Sequence, residues 1–477
     1  MKRFLLLTAL PFLLTGGLKA QLPYNFSFAY IGTTPYPSQS IVKAYTPTSS
    51  VVYHIEFGDT SYGIISLVTT TGSVLSTKLP HYYQVQDMCI HGNTLYLLMK
   101  KADTKQYYIG WMDLNLFYSG SFFNIRIREI QVFSGLDIYL RRLSVYFDSN
   151  GDTRLLALGA CHFLTGYPCP LVPTGIISNY TYTFPYEFFP GWGSQIEQFV
   201  IECVNPKTTS TFDYLLVNSG SKNEHLEDMV VTDNYVAIIG EIYKNYDFDT
   251  VTIHRCSKDG VLSSFNNYHY FVPPQEEGVM GYSACTLNEN DIALITTGYK
   301  GEQDNEFEMH IRTVNLPNMK MHPSQRLPNV GKTIPTTQVY LHPADRTMVQ
   351  LSEILFPPGQ QIFNHSFIEF HPYNVTQYNT TIFYEDNYSQ LPYVSMDKQQ
   401  DSCIIATGGN YGIIKDINNE AATPNCYLYE TVLVRLLNNR DIKARNFPYE
   451  WYNNILNPPE LLLQHVTSNS ITNCTNF

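Results

Sequence analysis

A short stretch of the sequence occurs twice in closely similar form. Residues 85–98 read VQDMCIHGNTLYLL, and residues 226–239 read LEDMVVTDNYVAII. In each copy a strand that starts Asp-Met runs into a tight turn before an Asn, Asn93 or Asn234, and an apolar strand leaves the turn. This order of residues predicts a β-hairpin. The return of the same hairpin far along the chain indicates an architecture built from repeated units.

Weaker copies extend the repeat along most of the chain. Counted from the first strand of each hairpin, units begin near 42, 87, 142, 228, 284, 338 and 394, and most intervals are about 55 residues long. The first two units share a strand, an x-Asp-Thr-x turn and a second strand, followed by a polar link and a further strand. Four short antiparallel strands per unit are typical of a β-propeller blade. We therefore predict an all-β chain that forms a β-propeller of seven four-stranded blades, with six or eight blades as alternatives.

The long interval between 142 and 228 has two interpretations. It contains either an extra blade or an insertion, and the Pro, Gly and aromatic content of 168–192 favours an insertion near 161–192. The repeats run on without a Ser/Gly or Pro linker, which predicts a single domain over 21–477 with an irregular tail at 438–477. Residues 25–40 are expected to form a lead-in strand or arm. Because propellers often close by lending a terminal strand to the blade at the other end, 427–437 is expected at that closure.

Residues 1–20 have the layout of a secretory signal peptide. Lys2 and Arg3 form a basic head, the apolar run 4–14 is too short to cross a bilayer, and cleavage is expected after Ala20. The mature chain is therefore expected to be secreted or periplasmic, without membrane insertion. The formal charge of −12 becomes more negative when the basic leader is removed. An acidic surface without a basic run repels phosphate backbones, so we expect no nucleic-acid partner.

Nine cysteines in an exported chain predict disulfides, and because the number is odd at least one thiol stays unpaired or pairs with another molecule. Cys161 and Cys169 flank a short Pro-containing loop, and Cys403 and Cys426 lie within one predicted blade, so these four residues form the two candidate disulfides. A fully reduced chain is the alternative.

The motifs that would indicate a metal or a cofactor lack residues that such sites require. Residues 148–152 read DSNGD, but an EF-hand loop begun at Asp148 needs Gly at 153 and Glu at 159, and those positions hold Thr and Gly. A tight hairpin turn is the better interpretation of this stretch. Cys89 and Cys285 fall on the predicted inner strands, where a small buried side chain is the expected role. The 13 His residues are dispersed without metal-binding spacing, so we expect no metal and no cofactor.

Three charged residues share one place in the repeat and are the candidate catalytic residues. Asp87 and Asp228 hold equivalent positions in two units, and Arg142 lies near that position in a third. In a propeller the innermost strands line a central channel, so two carboxylates facing each other could act as acid and base on a sugar. The competing interpretation is structural: each Asp accepts hydrogen bonds from the backbone or from the neighbouring blade and holds the repeat together. We favour the structural interpretation.

Aromatic residues are concentrated in the predicted insertion. The stretch 179–192 contains the candidate ligand-binding residues Tyr180, Tyr182, Tyr186 and Trp192. Exposed rings of this kind stack on sugars or on partner chains. The alternative is that the segment folds back and buries its own rings.

The leader that ends in Lys-Ala-Gln, the strands rich in Tyr and Asn and the Asp-Met hairpins resemble those of exported β-propeller proteins of the Bacteroidetes type, many of which have no assigned function. The resemblance covers roughly residues 36–437 at the level of pattern and transfers no functional residue. Our interpretation is an exported β-propeller that acts as a binding or interaction scaffold for a glycan or a protein ligand. The alternative is a propeller hydrolase that acts on carbohydrate through inner-strand carboxylates.

Overall fold

The chain is an all-β protein and a β-propeller, seen here in a computed structural model. The structure describes residues between 25 and 436, apart from short turns and from segments that include 165–193, 272–278, 301–305, 327–331, 342–347, 356–363, 385–392 and 414–426. Residues 1–24 and 437–477 lie outside the described part, as does the expected leader. Within the described part, the one α-helix is the four-residue α1 (Asn115–Tyr118).

The described strands form seven antiparallel sheets, and in six of them the strands follow one another in the chain. The first four sheets, which we call blades 1–4, have the following strands, innermost strand first. Blade 1 contains β2 (Pro37–Tyr45), β3 (Ser50–Phe57), β4 (Tyr62–Val68) and β5 (Val74–Lys78). Blade 2 contains β6 (Tyr83–His91), β7 (Thr94–Lys101), β8 (Tyr107–Asp113) and β9 (Arg126–Glu129). Blade 3 contains β10 (Asp137–Phe147), β11 (Thr153–Leu164), β12 (Ser194–Val204) and β13 (Asp213–Val217). Blade 4 contains β14 (Asn223–Val231), β15 (Tyr235–Lys244), β16 (Asp247–Ser257) and β17 (Asn266–Phe271).

The remaining three sheets are blades 5–7, and the last of them draws on both ends of the chain. Blade 5 contains β18 (Val279–Thr286), β19 (Asp291–Lys300), β20 (Glu306–Asn315), β21 (Lys320–Met321) and β22 (Gln325–Arg326), the last two both paired with β20. Blade 6 contains β23 (Lys332–Leu341), β24 (Met348–Leu355), β25 (Asn364–His371) and β26 (Asn374–Tyr384). Blade 7 contains β27 (Tyr393–Gln399), β28 (Ser402–Ile413), β29 (Tyr427–Leu436) and, outermost, β1 (Asn25–Gly32).

The seven sheets close into a ring. The innermost strand of each blade contacts the innermost strand of the next, and β27 of blade 7 contacts β2 of blade 1. The ring is also closed through the backbone, because β1 pairs along its whole length with β29, from Asn25 opposite Val434 to Gly32 opposite Tyr427. The predicted role of 427–437 at the closure is confirmed by this pairing. Because the first and last strands share one sheet, the ring cannot open at blade 7 without breaking the backbone hydrogen bonds between β1 and β29.

The core lies between the blades rather than within any one of them. On β7, Leu95, Leu97 and Met99 pack in a cluster with blade 1, whereas Tyr96 and Leu98 pack in a cluster with blade 3. Successive side chains of a strand point to opposite faces, so a strand between two neighbours is buried on both. This is why β7 reads as an unbroken apolar run, and truncating one of its leucines to Ala would cost about 2–5 kcal/mol.

The long interval in the repeat falls inside blade 3. Strands β11 and β12 are hydrogen-bonded neighbours, with Leu164 opposite Ser194, so residues 165–193 connect two adjacent strands of one sheet. These connecting residues lie outside the described part of the chain.

Candidate functional site

The candidate catalytic residues lie on innermost strands, as the repeat predicted. Asp87 is on β6, Arg142 on β10 and Asp228 on β14. Each directly follows an irregularity in strand pairing, which falls between Val85 and Asp87 in blade 2 and at the corresponding point in blades 3 and 4. A β-bulge inserts one residue and re-aims the side chain that follows it. The bulges therefore set the direction of these three side chains.

The carboxylate of Asp87 joins blade 2 to blade 3. Its Oδ1 accepts a hydrogen bond from the N–H of Met88 at 2.8 Å, and its Oδ2 accepts one from the N–H of Leu143 at 2.8 Å. The residue is buried, with 9% of its surface exposed. Both oxygens are thus bonded to backbone groups, one on its own strand and one on the innermost strand of the next blade.

The carboxylate of Asp228 repeats the arrangement two blades further on. Its Oδ1 accepts from the N–H of Met229 at 2.9 Å, and its Oδ2 accepts from the N–H of Ala284 on blade 5 at 3.0 Å. A third carboxylate, Asp397 on β27, accepts from the N–H of Ala44 on β2 at 2.6 Å. This bond crosses the junction between the last blade and the first. We call Asp87, Asp228 and Asp397 the inter-blade carboxylates.

Cations occupy the corresponding place in two of the receiving blades. The residues that precede the donor N–H groups of Ala44 and Leu143 are Lys43 and Arg142. Arg142 places its Nε 3.9 Å from Oδ1 of Asp228 and donates to the backbone carbonyl of Glu227 at 3.3 Å. An acidic residue in one blade is therefore followed by a basic residue in the next at two of the three contacts.

Burial and these neighbouring charges shift the pKa values of Lys43 and Asp228. Burial by itself would lower the pKa of the Lys43 ammonium, but Asp397 and Asp87 outweigh burial and raise that pKa above its ordinary value. Burial raises the pKa of the Asp228 carboxyl, against the opposing effects of Arg142 and of the two backbone hydrogen bonds. The protonated form of Asp228 is therefore more favourable in the folded chain than it would be in water.

The bulged residues themselves form a second charged contact. Arg141, the bulged residue of blade 3, places NH1 3.2 Å from Oε1 of Glu227, the bulged residue of blade 4. The two side chains are 35% and 26% exposed, so this pair is more open to solvent than Asp228 at 17%. A partly exposed ion pair contributes about 0–1 kcal/mol to stability.

The chemistry available at the ring follows from these contacts. The carboxylate of Asp87 has each oxygen committed to a buried backbone N–H, and Asp228 has the same two kinds of partner. A general acid or base must instead reach a proton of the substrate with one of its oxygens. The arrangement supports the structural interpretation of the two Asp residues: they fix neighbouring blades against each other.

Lys43 and Asp397 were not among the sequence candidates. The last paired residue before the hairpin turn is His91 in blade 2 and Gln399 in blade 7. Counted back from these residues, the position of Asp87 corresponds to Ser395 in blade 7, so Asp397 lies two residues nearer the turn. A displacement of two residues leaves a side chain on the same face of a strand. A search of each innermost strand for an acidic residue at either of these two positions would therefore have found Asp397.

The cysteine predictions are tested in part. Cys89, Cys203, Cys256 and Cys285 are free thiols, and Cys285 is buried while Cys89 packs against the core between blades 2 and 3. The expected burial is confirmed for Cys285, whereas Cys89 is partly buried. Burial raises the pKa of the Cys89 thiol to about 11. The candidate pairs stay predictions, because Cys169 and Cys426 lie outside the described residues and the side chains of Cys161 and Cys403 are not described.

Residues 148–152 form the tight turn that the sequence predicted. Oδ1 of Asp148 accepts from the N–H groups of Asn150 and Asp152, each at 2.9 Å, and Oδ2 accepts from Nε of Arg154 at 2.9 Å. Gly151 has a φ of 83°, a conformation that favours glycine. Across the described strands and turns, no three His, Cys, Asp or Glu side chains converge as a metal site would require.

The aromatic candidates Tyr180, Tyr182, Tyr186 and Trp192 lie in 165–193, outside the described residues. None of the helices in the described part of the chain has the length and apolar character needed to cross a membrane.

Comparison with known proteins gives similarity of fold alone. No protein-family model matches the chain, and no curated protein matches it. Among solved structures, an acylaminoacyl peptidase from Pyrococcus horikoshii is similar at 10% identity and a TM-score of 0.43, with 87% of this chain and 54% of that one covered. This chain therefore spans about half the length of that peptidase.

Two further solved structures are similar over most of their own length. An oligogalacturonate lyase in complex with manganese matches at 8% identity and a TM-score of 0.44, covering 84% of this chain and 98% of that one. The β-propeller domain of the Trilobed protease from Pyrococcus furiosus matches at 10% identity and a TM-score of 0.42, covering 85% of this chain and 93% of that one.

Proposed function

We propose that the chain is an exported binding scaffold that holds a glycan or a protein ligand on a face of the propeller. The observation that supports a scaffold is the commitment of the Asp87 and Asp228 carboxylates to backbone N–H groups of two successive blades. Two backbone donors on successive blades hold each of these carboxylates in one orientation, as a structural role requires. The expected leader at 1–20 and the acidic net charge of −12 support an exported protein whose ligand is neither nucleic acid nor an anionic lipid surface.

The alternative is a carbohydrate hydrolase, and one observation favours it. Asp228 has a raised pKa, is 17% exposed and lies 3.9 Å from Arg142, and a carboxyl with a raised pKa is the kind of group that serves as a general acid. The second carboxylate that such a mechanism needs would be Asp87, on an inner strand two blades away. Loss of the Asp228 carboxylate should lower stability if the chain is a scaffold and should abolish cleavage if it is a hydrolase.

Binding and turnover should be measured on the same preparation of residues 21–477. The probes are insoluble xylan, mannan, cellulose and chitin, with bound protein measured after sedimentation and with cleavage measured as release of reducing ends. The scaffold proposal expects retention on at least one polysaccharide without release of reducing ends. Release that is abolished by Asp228→Asn, at an unchanged midpoint of urea unfolding, would overturn it in favour of the hydrolase.

A further inference from the structure

The hairpin turn between β10 and β11 contains a pair of residues that can react with each other. Asn150 is the only Asn in the 477-residue sequence that is followed by Gly. Both Asn150 and Gly151 are exposed. Gly151 has a φ of 83°, and a Cβ added to it would have no atom within 4 Å, so the space around its backbone is open. Because glycine has no side chain, its backbone nitrogen is the least hindered that an Asn side chain can meet.

The reaction joins the side chain of Asn150 to the backbone of Gly151. The Gly151 nitrogen loses its proton and attacks Cγ of Asn150, a C–N bond forms, and the side-chain nitrogen leaves as ammonia. The product is a five-membered succinimide. Water then adds to one of its two carbonyls and breaks a C–N bond, which leaves aspartate or isoaspartate at position 150. Water is the one co-reactant, because the chain itself holds the two reacting atoms close together.

Backbone hydrogen bonds of the turn control how fast the folded chain can react. The N–H of Gly151 donates to the carbonyl of Asp148 at 3.1 Å, and the N–H of Asn150 donates to Oδ1 of Asp148 at 2.9 Å. The attacking nitrogen must give up the first of these bonds. The reaction should therefore be slower in the folded chain than in the unfolded chain.

The same turn joins blade 3 directly to blade 4. The N–H of Ser149 donates to Oδ1 of Asp259 at 2.8 Å, and Asp259 lies in the turn that follows β16 of blade 4. Ser149 precedes Asn150 in the chain, so a change in the backbone at 150 acts next to this bond.

Arg154 on β11 connects the turn to blade 4 by a second route. Its Nε donates to Oδ2 of Asp148 at 2.9 Å, and its NH1 donates to Oε1 of Glu202 at 2.8 Å. The same oxygen of Glu202 accepts from the N–H of Val261 on blade 4 at 3.2 Å. The orientation of the Asp148 carboxylate is therefore linked to the contact between the two blades.

We propose that Asn150 is a site of spontaneous deamidation, and that its conversion to isoaspartate loosens the contact between blades 3 and 4. Isoaspartate inserts one methylene group into the backbone between the N–H groups of residues 150 and 152, which both donate to Oδ1 of Asp148 at 2.9 Å. It also adds a carboxylate to a turn that already contains those of Asp148 and Asp152. The altered spacing and the like-charge repulsion both weaken the hydrogen bonds to Asp148. This site is independent of the proposed scaffold function.

The test of the site incubates residues 21–477 at mildly alkaline pH, because the attacking nitrogen must lose its proton, and follows peptide masses over time. The internal control is Asn234, which is exposed in the corresponding turn of blade 4 but is followed by Tyr235. Asn150 should be converted faster than Asn234, and electron-transfer fragmentation should identify isoaspartate. Asn150→Gln should show no conversion over the same period, because closure would need a larger ring. Conversion of Asn150 that is no faster than that of Asn234 overturns the site.

The effect on the blades is measured separately, by hydrogen exchange of the peptide that contains Val261. Exchange should be faster, and the urea midpoint lower, in the chain that has been converted at 150 than in Asn150→Gln incubated for the same time. Asn150→Asp carries the added charge on a backbone of normal length, so its exchange should lie between the two. Unchanged exchange at Val261 in the isoaspartate chain overturns the loosening of blades 3 and 4.

Discussion

Replacing Asp87 by Ala tests whether the inner-strand carboxylates hold the blades together. The substitution removes the acceptor of two buried hydrogen bonds, from Met88 at 2.8 Å and from Leu143 at 2.8 Å. Each buried N–H left without an acceptor costs about 1–3 kcal/mol, so the pair should cost roughly 2–6 kcal/mol of unfolding free energy. Lys43 would also lose one of the carboxylates that raise its pKa.

The experiment should measure both the stability of the whole propeller and the hydrogen bond between Asp87 and the N–H of Leu143. Urea unfolding gives the change in free energy, and hydrogen exchange followed by mass spectrometry gives the protection of the peptide that contains Leu143 on blade 3. We expect faster exchange there, although the substitution is on blade 2. Asp87→Asn should lie between Ala and the wild type, because the amide keeps one acceptor oxygen and places a donor against the second N–H.

The control is Asp103→Asn, which changes an exposed carboxylate of the same blade. Asp103 pairs with Lys101 at 3.1 Å and is 43% exposed, so the change should cost less than about 1 kcal/mol. If Asp87→Ala costs no more than this control and leaves exchange at Leu143 unchanged, the reasoning about the inter-blade carboxylates is wrong.

Three further predictions concern other parts of the described chain. Burial opposes ionisation of Asp148, but Arg154 and backbone N–H groups outweigh burial and hold the pKa of Asp148 below its ordinary value. The ionised carboxylate therefore stabilises the fold above that ordinary pKa, and this stability should be lost as the pH falls through the folded-state pKa. Urea midpoints of Asp148→Asn should consequently vary less between about pH 5 and about pH 2 than those of the wild type. Gly110→Ala places a Cβ 2.5 Å from Cε of Met99, and because that methyl group ends a flexible side chain the cost should be about 1–3 kcal/mol in urea unfolding; a cost above about 4 kcal/mol would show that Met99 does not move aside. Partial burial raises the pKa of the Cys89 thiol to about 11, so at about pH 8 iodoacetamide should label it far more slowly in the folded than in the unfolded chain; equal labelling rates, measured by peptide mass spectrometry, would contradict the raised pKa.

Local strand structure was predictable because it depends on neighbouring residues. The two strands that the sequence predicted for the first unit, on either side of an x-Asp-Thr-x stretch, are β3 (Ser50–Phe57) and β4 (Tyr62–Val68). Alternation of side chains and turn residues such as Asp59-Thr60 act over a few positions, so they can be read directly. The repeat then implied that Asp87 and Asp228 occupy equivalent places, and both carboxylates make the same two kinds of hydrogen bond.

The residue pattern was enough to predict the all-β class, the repeated hairpin and the inner-strand position of Asp87 and Asp228. Tertiary structure alone decided which N–H groups these carboxylates accept from, and it added Lys43 and Asp397 to the same ring. The bond from Ala44 to Asp397 joins residues 353 positions apart, and no local pattern records it. The physical reason is that a carboxylate bonds to whatever donor the closed ring places beside it, and closure depends on the pairing of the first and last strands.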